Sequence, residues 1–149
     1  MTRPVLATLV AVPLLLSLLA GCGSGDDYSA YCDAVSAHQS DLTKDFARGE
    51  AGLLAAIPAF EDLRDQAPSD IRRDWGTLIT ALTDLRKALD DAGVKSSDYT
   101  AGKAPTGVTA AERKAIVAAA DKVSSTKVQE ASQHVQQQAR DVCHTPLTL

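Results

Sequence analysis

The chain has little from which to build a β-sheet. Aromatic residues occupy only 4% of its 149 positions: one Trp, three Tyr and two Phe. Strands favour aromatic and β-branched residues, whereas alanine, abundant here, favours closely packed helices. Composition therefore points to an all-α fold. Basic residues are outnumbered by acidic ones, 15 to 19. With no basic stripe to displace counterions, a nucleic-acid partner is not expected. The three cysteines show no CxxC spacing, which removes a redox dithiol or a paired-cysteine zinc site. A Gly-rich phosphate loop, a nucleophile elbow, a zinc-protease motif and an EF-hand loop are missing as well. With no catalytic constellation, the chain reads as a binding or interaction module rather than an enzyme, and nothing calls for a cofactor. There is no internal repeat and no second domain.

A long apolar run is also lacking. The stretch from Val5 to Ala20 is interrupted by Pro13 and falls short of the about 20 apolar residues that a membrane span needs. It follows Arg3, the one charged side chain before Asp26, and ends in small residues. That pattern reads as an export signal. No twin arginine precedes it, which favours the general secretory route.

The run closes on Leu19-Ala20-Gly21-Cys22. This tetrapeptide resembles the lipobox of bacterial lipoproteins at all four positions, and the resemblance covers residues 1–22. It implies that the Cys22 thiol is joined to diacylglycerol and that cleavage leaves Cys22 as the first mature residue. Acyl chains such as palmitate contribute about 0.8 kcal/mol per buried methylene, so two or three hold a domain at a bilayer. The alternative is an ordinary signal cut near Ala20, with Cys22 there by chance. The implied organisation is a signal peptide at 1–21, the lipidated Cys22 with a short Gly-Ser-Gly tether at 22–26, and a helical domain at 27–149. Loss of residues 1–21 removes one arginine and no acid, leaving 14 basic against 19 acidic residues, a net charge of −5. The remainder is the size of one ordinary domain. Its Ala- and Asp-rich style, Tyr31-Cys32 opening and terminal Cys143 are broadly similar to actinobacterial lipoproteins, a likeness that assigns no functional residue. The implied place is the extracytoplasmic face of the cell membrane.

With Cys22 acylated, Cys32 and Cys143 remain, and two cysteines in an exported domain are expected to form a disulfide. Closing a loop on the order of 100 residues stabilises by about 4–5 kcal/mol in the chain-entropy model.

Apolar spacing predicts the helices. The first is expected over 27–47, with Tyr28, Tyr31, Cys32, Val35, Leu42 and Phe46 on one face and Gly49 as a left-handed cap. The second is expected over 50–66. Leu53, Ile57, Phe60 and Leu63 keep one phase across Pro58, which suggests a single kinked helix. Its alternative is a break with Pro58 opening a new helix. The third, capped by Ser69 or Asp70, carries Ile71, Trp75, Leu78, Leu82, Leu85 and Leu89 and stops at Gly93. Residues 93–108 read as a long loop. Thr109-Ala110-Ala111-Glu112 fits a capping box. Beyond it, Ile116, Val117, Ala120 and Val123, then Val128, Ala131, Val135, Ala139 and Val142, are expected to point inward. The disulfide places Cys32 and Cys143 at one pole, which an even number of full-length antiparallel arms satisfies. The prediction is a four-helix-type antiparallel bundle whose last arm, 109–143, is bent or offset near Ser124 and does not reverse direction.

His38 and His134 are the candidates should a metal bind. Counted from the disulfide level along antiparallel helices, they differ in height by roughly 4–5 Å. Asp41 or Asp45 would complete such a site. The plainer reading is a pair of boundary histidines, one hydrogen-bonded to Gln137 or Gln138. Trp75 is expected in the core. Three functions remain open: an envelope interaction module, a small-molecule or lipid carrier with a pocket between helices and Tyr99 as its lid, and a metal protein or enzyme built on His38 and His134. The pole at Arg48-Gly49 and the start of the 93–108 loop, far from the tether, is where binding is expected first.

Overall fold

The computed structural model describes residues 28–103 and 105–149. The expected signal peptide, Cys22, the tether and the side chain of Phe46 lie outside the described residues. Within them the fold is all-α: α1 (Ser29–Phe46), α2 (Glu50–Ala55), α3 (Ile57–Gln66), α4 (Arg72–Asp91), α5 (Ala110–Val123) and α6 (Thr126–Val142). No described helix is long and apolar enough to cross a membrane.

Together α1, the α2–α3 pair, α4 and the α5–α6 pair make four antiparallel arms, closed by a Cys32–Cys143 disulfide with Cα atoms 5.0 Å apart. The last arm keeps one direction across its offset at Ser124-Ser125. Lys122 of α5 pairs with Asp84 of α4 at 3.0 Å, and His134 of α6 bonds Asp74 of α4 at 3.2 Å. As the arm advances, its partners descend α4, which is the signature of one antiparallel run. Ser125 caps α6 by accepting from the Val128 amide, so the helix restarts without turning back. The capping box forms as the sequence implies: Glu112 accepts from the Thr109 amide at 2.7 Å, and Thr109 Oγ1 accepts from the Glu112 amide at 3.2 Å.

Four local expectations are corrected. The second arm is two helices, broken at Ala56, with Pro58 in the first turn of α3. Proline lacks the amide that would extend α2 and fits a first turn, where amides are unpaired anyway. Gly49 has positive φ (65°), but its ψ of −144° lies outside the left-handed helical region, and it serves as the N-cap of α2. Neither Ser69 nor Asp70 holds the cap of α4. That position falls on Ile71 without a capping side chain, and the Pro68 carbonyl accepts from the Ile71 and Arg72 amides. Val117 and Val142 point outward, 52% and 38% exposed. The last arm packs mainly along α4, so its buried seam narrows to Ile116, Ala119, Ala131, Val135 and Ala139.

The core is continuous, and its centre is Trp75. This side chain is fully buried, lies 5.6 Å from the Phe60 ring, and donates its indole N–H to the Tyr31 hydroxyl at 3.1 Å. The 93–108 loop is held to the bundle by Val94, packed against the core, and by Tyr99. Tyr99 is buried beside the core, and its hydroxyl lies in the field of Glu50 on α2 and Asp121 on α5. Burial foremost, then these two acids, raises its pKa.

Candidate functional site

The arms do not close the bundle equally. Both α3 and α6 pack on α4 but share little contact with each other, and α1 meets α6 only sparsely. That leaves a seam along one side. Near the disulfide the chain fills it with its own end. After α6, His144 takes a positive φ of 52°, and the Thr145 amide donates to the Ala139 carbonyl, turning the chain back. Gln39 of α1 then donates to the Pro146 carbonyl at 2.9 Å. Leu147 is buried, Thr148 exposed, and Leu149 packed on the core. This alternation has the period of two of an extended chain.

Above that tail the seam opens into a cleft of about 320 Å³. Leu78 and Leu82 of α4 form its floor. Leu53 of α2 and Phe60 of α3 make one wall. The other comes from α6: Val128, Gln129, Ser132, Gln133 and Gln136, with Val123 of α5 beside them. Leu149 closes the end near the tail, where its main-chain oxygen accepts from Gln136 Nε2 at 3.4 Å. No lining side chain is charged, in a chain of which 23% is charged. Four other surface hollows each carry at least two charged side chains. A cleft with no charged side chain, an apolar floor and amide groups along one edge suits a ligand with an apolar body and a hydrogen-bonding edge.

The sequence-derived candidates fall elsewhere. His38, on α1, bonds Asp62 of α3 at 2.8 Å, and His134, on α6, bonds Asp74 of α4. Each histidine engages a carboxylate of a neighbouring helix, not the other histidine and not Gln137 or Gln138. Among the described residues no group of three or more His, Cys, Asp or Glu is placed to hold a metal ion. Tyr99 is no lid on the cleft, because it is buried at the far pole and forms none of the cleft wall. The cleft itself lies along the side of the bundle. In the sequence Gln136-Gln137-Gln138 reads as a polar helix surface. The missed signal was the spacing of Gln129, Ser132, Gln133 and Gln136, which repeats every three or four residues beside the apolar stripe of α6. Gln138 differs from that row: its amide is buried and without a partner among the described residues.

Compared with protein-family models, curated proteins and solved structures, the chain matches none of them.

Proposed function

We propose that this chain is a lipid-anchored, extracytoplasmic, non-enzymatic binding module of a bacterial envelope, and that it takes its ligand in the seam cleft. The observation that carries the binding site is the cleft itself, lined by no charged side chain and open along one side of the bundle. Support for the anchor is the Leu19-Ala20-Gly21-Cys22 sequence. A tether at 22–26 enters α1 at the disulfide pole, so that pole faces the bilayer and the cleft opens sideways, clear of the membrane surface.

A second reading, a small-molecule or lipid carrier, uses the same cleft and draws on its apolar floor. At about 320 Å³ the cleft lies at the small end of the range for ligand sites, about 300–1,000 Å³, and leaves little room for a whole lipid. The interaction-module reading is therefore preferred.

Two measurements test the proposal. Replacing Cys22 with Ala should move the protein out of the membrane fraction with the fold unchanged by circular dichroism. Retention of the variant in membranes would refute the anchor. A photo-reactive residue at Gln133 should capture a partner in cells that the same group at Lys114 does not. Identical capture from both positions would remove the cleft as the site.

A further inference from the structure

A second hollow lies where α4 meets the junction of α5 and α6. It holds about 520 Å³ and shares only Val128 with the seam cleft. Its floor is α4, where the small residues Gly76 and Ala81 leave it open. Three cations line it, Arg73 of α4, Lys122 of α5 and Lys127 of α6, against one acid, Asp84. Two positive charges are thus in excess, in a chain whose net charge is −4. Of the other three charged hollows, two are acidic and the third has an excess of one positive charge.

The excess is not answered from within the protein. Lys122 pairs with Asp84 at 3.0 Å. The Arg73 guanidinium and the Lys127 ammonium have neither an ion pair nor a hydrogen bond among the described residues. The hydroxyls of the hollow are already engaged as donors. Thr77 donates to the Arg73 carbonyl at 3.1 Å, Thr80 to the Gly76 carbonyl at 2.8 Å, and Ser125 to the Lys122 carbonyl at 2.6 Å. A hydroxyl has one proton to give, so toward a ligand these three oxygens can only accept. The free side-chain donors are therefore the two unpaired cations.

That division selects a ligand. Two cations without a counter-charge match a group with two negative charges, and a phosphate monoester carries them on oxygens that fit a guanidinium fork. A neutral molecule would leave both cations unmatched. A long polyanion would run from this patch onto an acidic molecule. The hydroxyl oxygens, for their part, suit a ligand with hydroxyl protons to give. At about 520 Å³ the hollow falls within the range of small-molecule sites, about 300–1,000 Å³.

We infer that this hollow binds a phosphate monoester carried on a small hydroxyl-bearing body. Arg73 and Lys127 hold the phosphate, and Thr77, Thr80 and Ser125 accept from the hydroxyls of the body. The site depends neither on the seam cleft nor on the anchor.

The test titrates the isotope-labelled full chain with glycerol 3-phosphate and reads amide chemical shifts. Saturable shifts centred on Gly76 and Lys127 are expected. Arg73→Ser and Lys127→Ser should each weaken binding about tenfold. Both side chains are exposed, so circular dichroism should not change. Lys114→Ser, which removes an exposed lysine outside the hollow, should leave the affinity as it was. Inorganic phosphate should bind more weakly than the ester, and glycerol should not bind. Absence of saturable shifts at Gly76 and Lys127 overturns the inference. So does equal weakening by Lys114→Ser, which would show only the field of a general surface charge. Equal affinity for phosphate and its glycerol ester overturns it too, by removing the hydroxyl-bearing body. The same monoester can be free or stand on a lipid headgroup. Displacement of glycerol phosphate by phosphatidylcholine vesicles containing phosphatidylinositol phosphate, and not by phosphatidylcholine alone, supports the site with a headgroup as its source. Indifference to both vesicles supports it with a soluble ester.

Discussion

At the scale of single residues, the buried Tyr31–Trp75 pair ties α1 to α4. Burial above all pushes the Tyr31 pKa from 10.0 up to about 12, against the opposing effect of the indole hydrogen bond. The folded value lies above the unfolded one, so this contribution to stability is whole below pH 10. It is lost as pH rises through the window to about 12. Thermal melts should show the wild type losing stability across that window more steeply than Tyr31→Phe. At neutral pH the Phe variant should be less stable by about 1–3 kcal/mol, because the buried indole N–H loses its acceptor. Gln138 is the converse case, a buried amide with no partner among the described residues. Gln138→Met keeps the length of the side chain and removes the unpaired dipole. A gain of about 1 kcal/mol in urea unfolding is expected; a loss would show that the amide has a partner, such as a bound water.

Among the elements, the α1–α2 corner is the tightest. Gly52 of α2 lies against the backbone of α1, and a Cβ there would collide with the Asp45 carbonyl. The neighbour is main chain, so no side-chain rotation relieves the clash. Gly52→Ala should therefore destabilise by about 1–3 kcal/mol or more, read as a lowered midpoint in chemical denaturation. The same change at Gly76, where an added Cβ meets nothing within 4 Å, is the control and should be neutral or mildly stabilising. The start of α5 responds to pH in the opposite sense to Tyr31. Hydrogen bonds from the Thr109 amide, then its hydroxyl, lower the Glu112 pKa, so the capping box holds above the ordinary carboxylate range and weakens in acid.

Over the whole molecule, the bridge and the tail do one job at one end of the seam. Cys32–Cys143 pins the outer arms where they otherwise touch little, and the tail fills the space between them. Replacing both cysteines with Ser should cost about 4–5 kcal/mol in thermal unfolding, with the largest rise in hydrogen exchange in the last turn of α6 and in residues 145–149. Exchange rising evenly over all four arms would mean that the bridge acts only through the unfolded chain.

What the sequence determined by itself is local or countable. Helices followed from apolar residues at steps of three and four. The Thr109–Glu112 cap needs only four neighbouring residues, and the 32–143 pairing came from setting aside one of three cysteines. The single direction of the last arm followed as well, because the bridge left only an even number of arms. Pro58 was decided by backbone sterics that apolar phase alone does not weigh, which is why a kink was expected where a break occurs. Val117 and Val142 were misjudged because inward and outward depend on how many neighbours an arm has. Of the cleft, only the polar row Gln129, Ser132, Gln133 and Gln136 was legible in the chain; the opening itself was not. It exists because α3 and α6 share α4 and not each other, a fact about the distances between arms. The role of Pro146–Leu149 is of the same kind: these four residues come to fill one end of the seam, with Leu149 as a wall of the cleft, only because α3 and α6 stand apart.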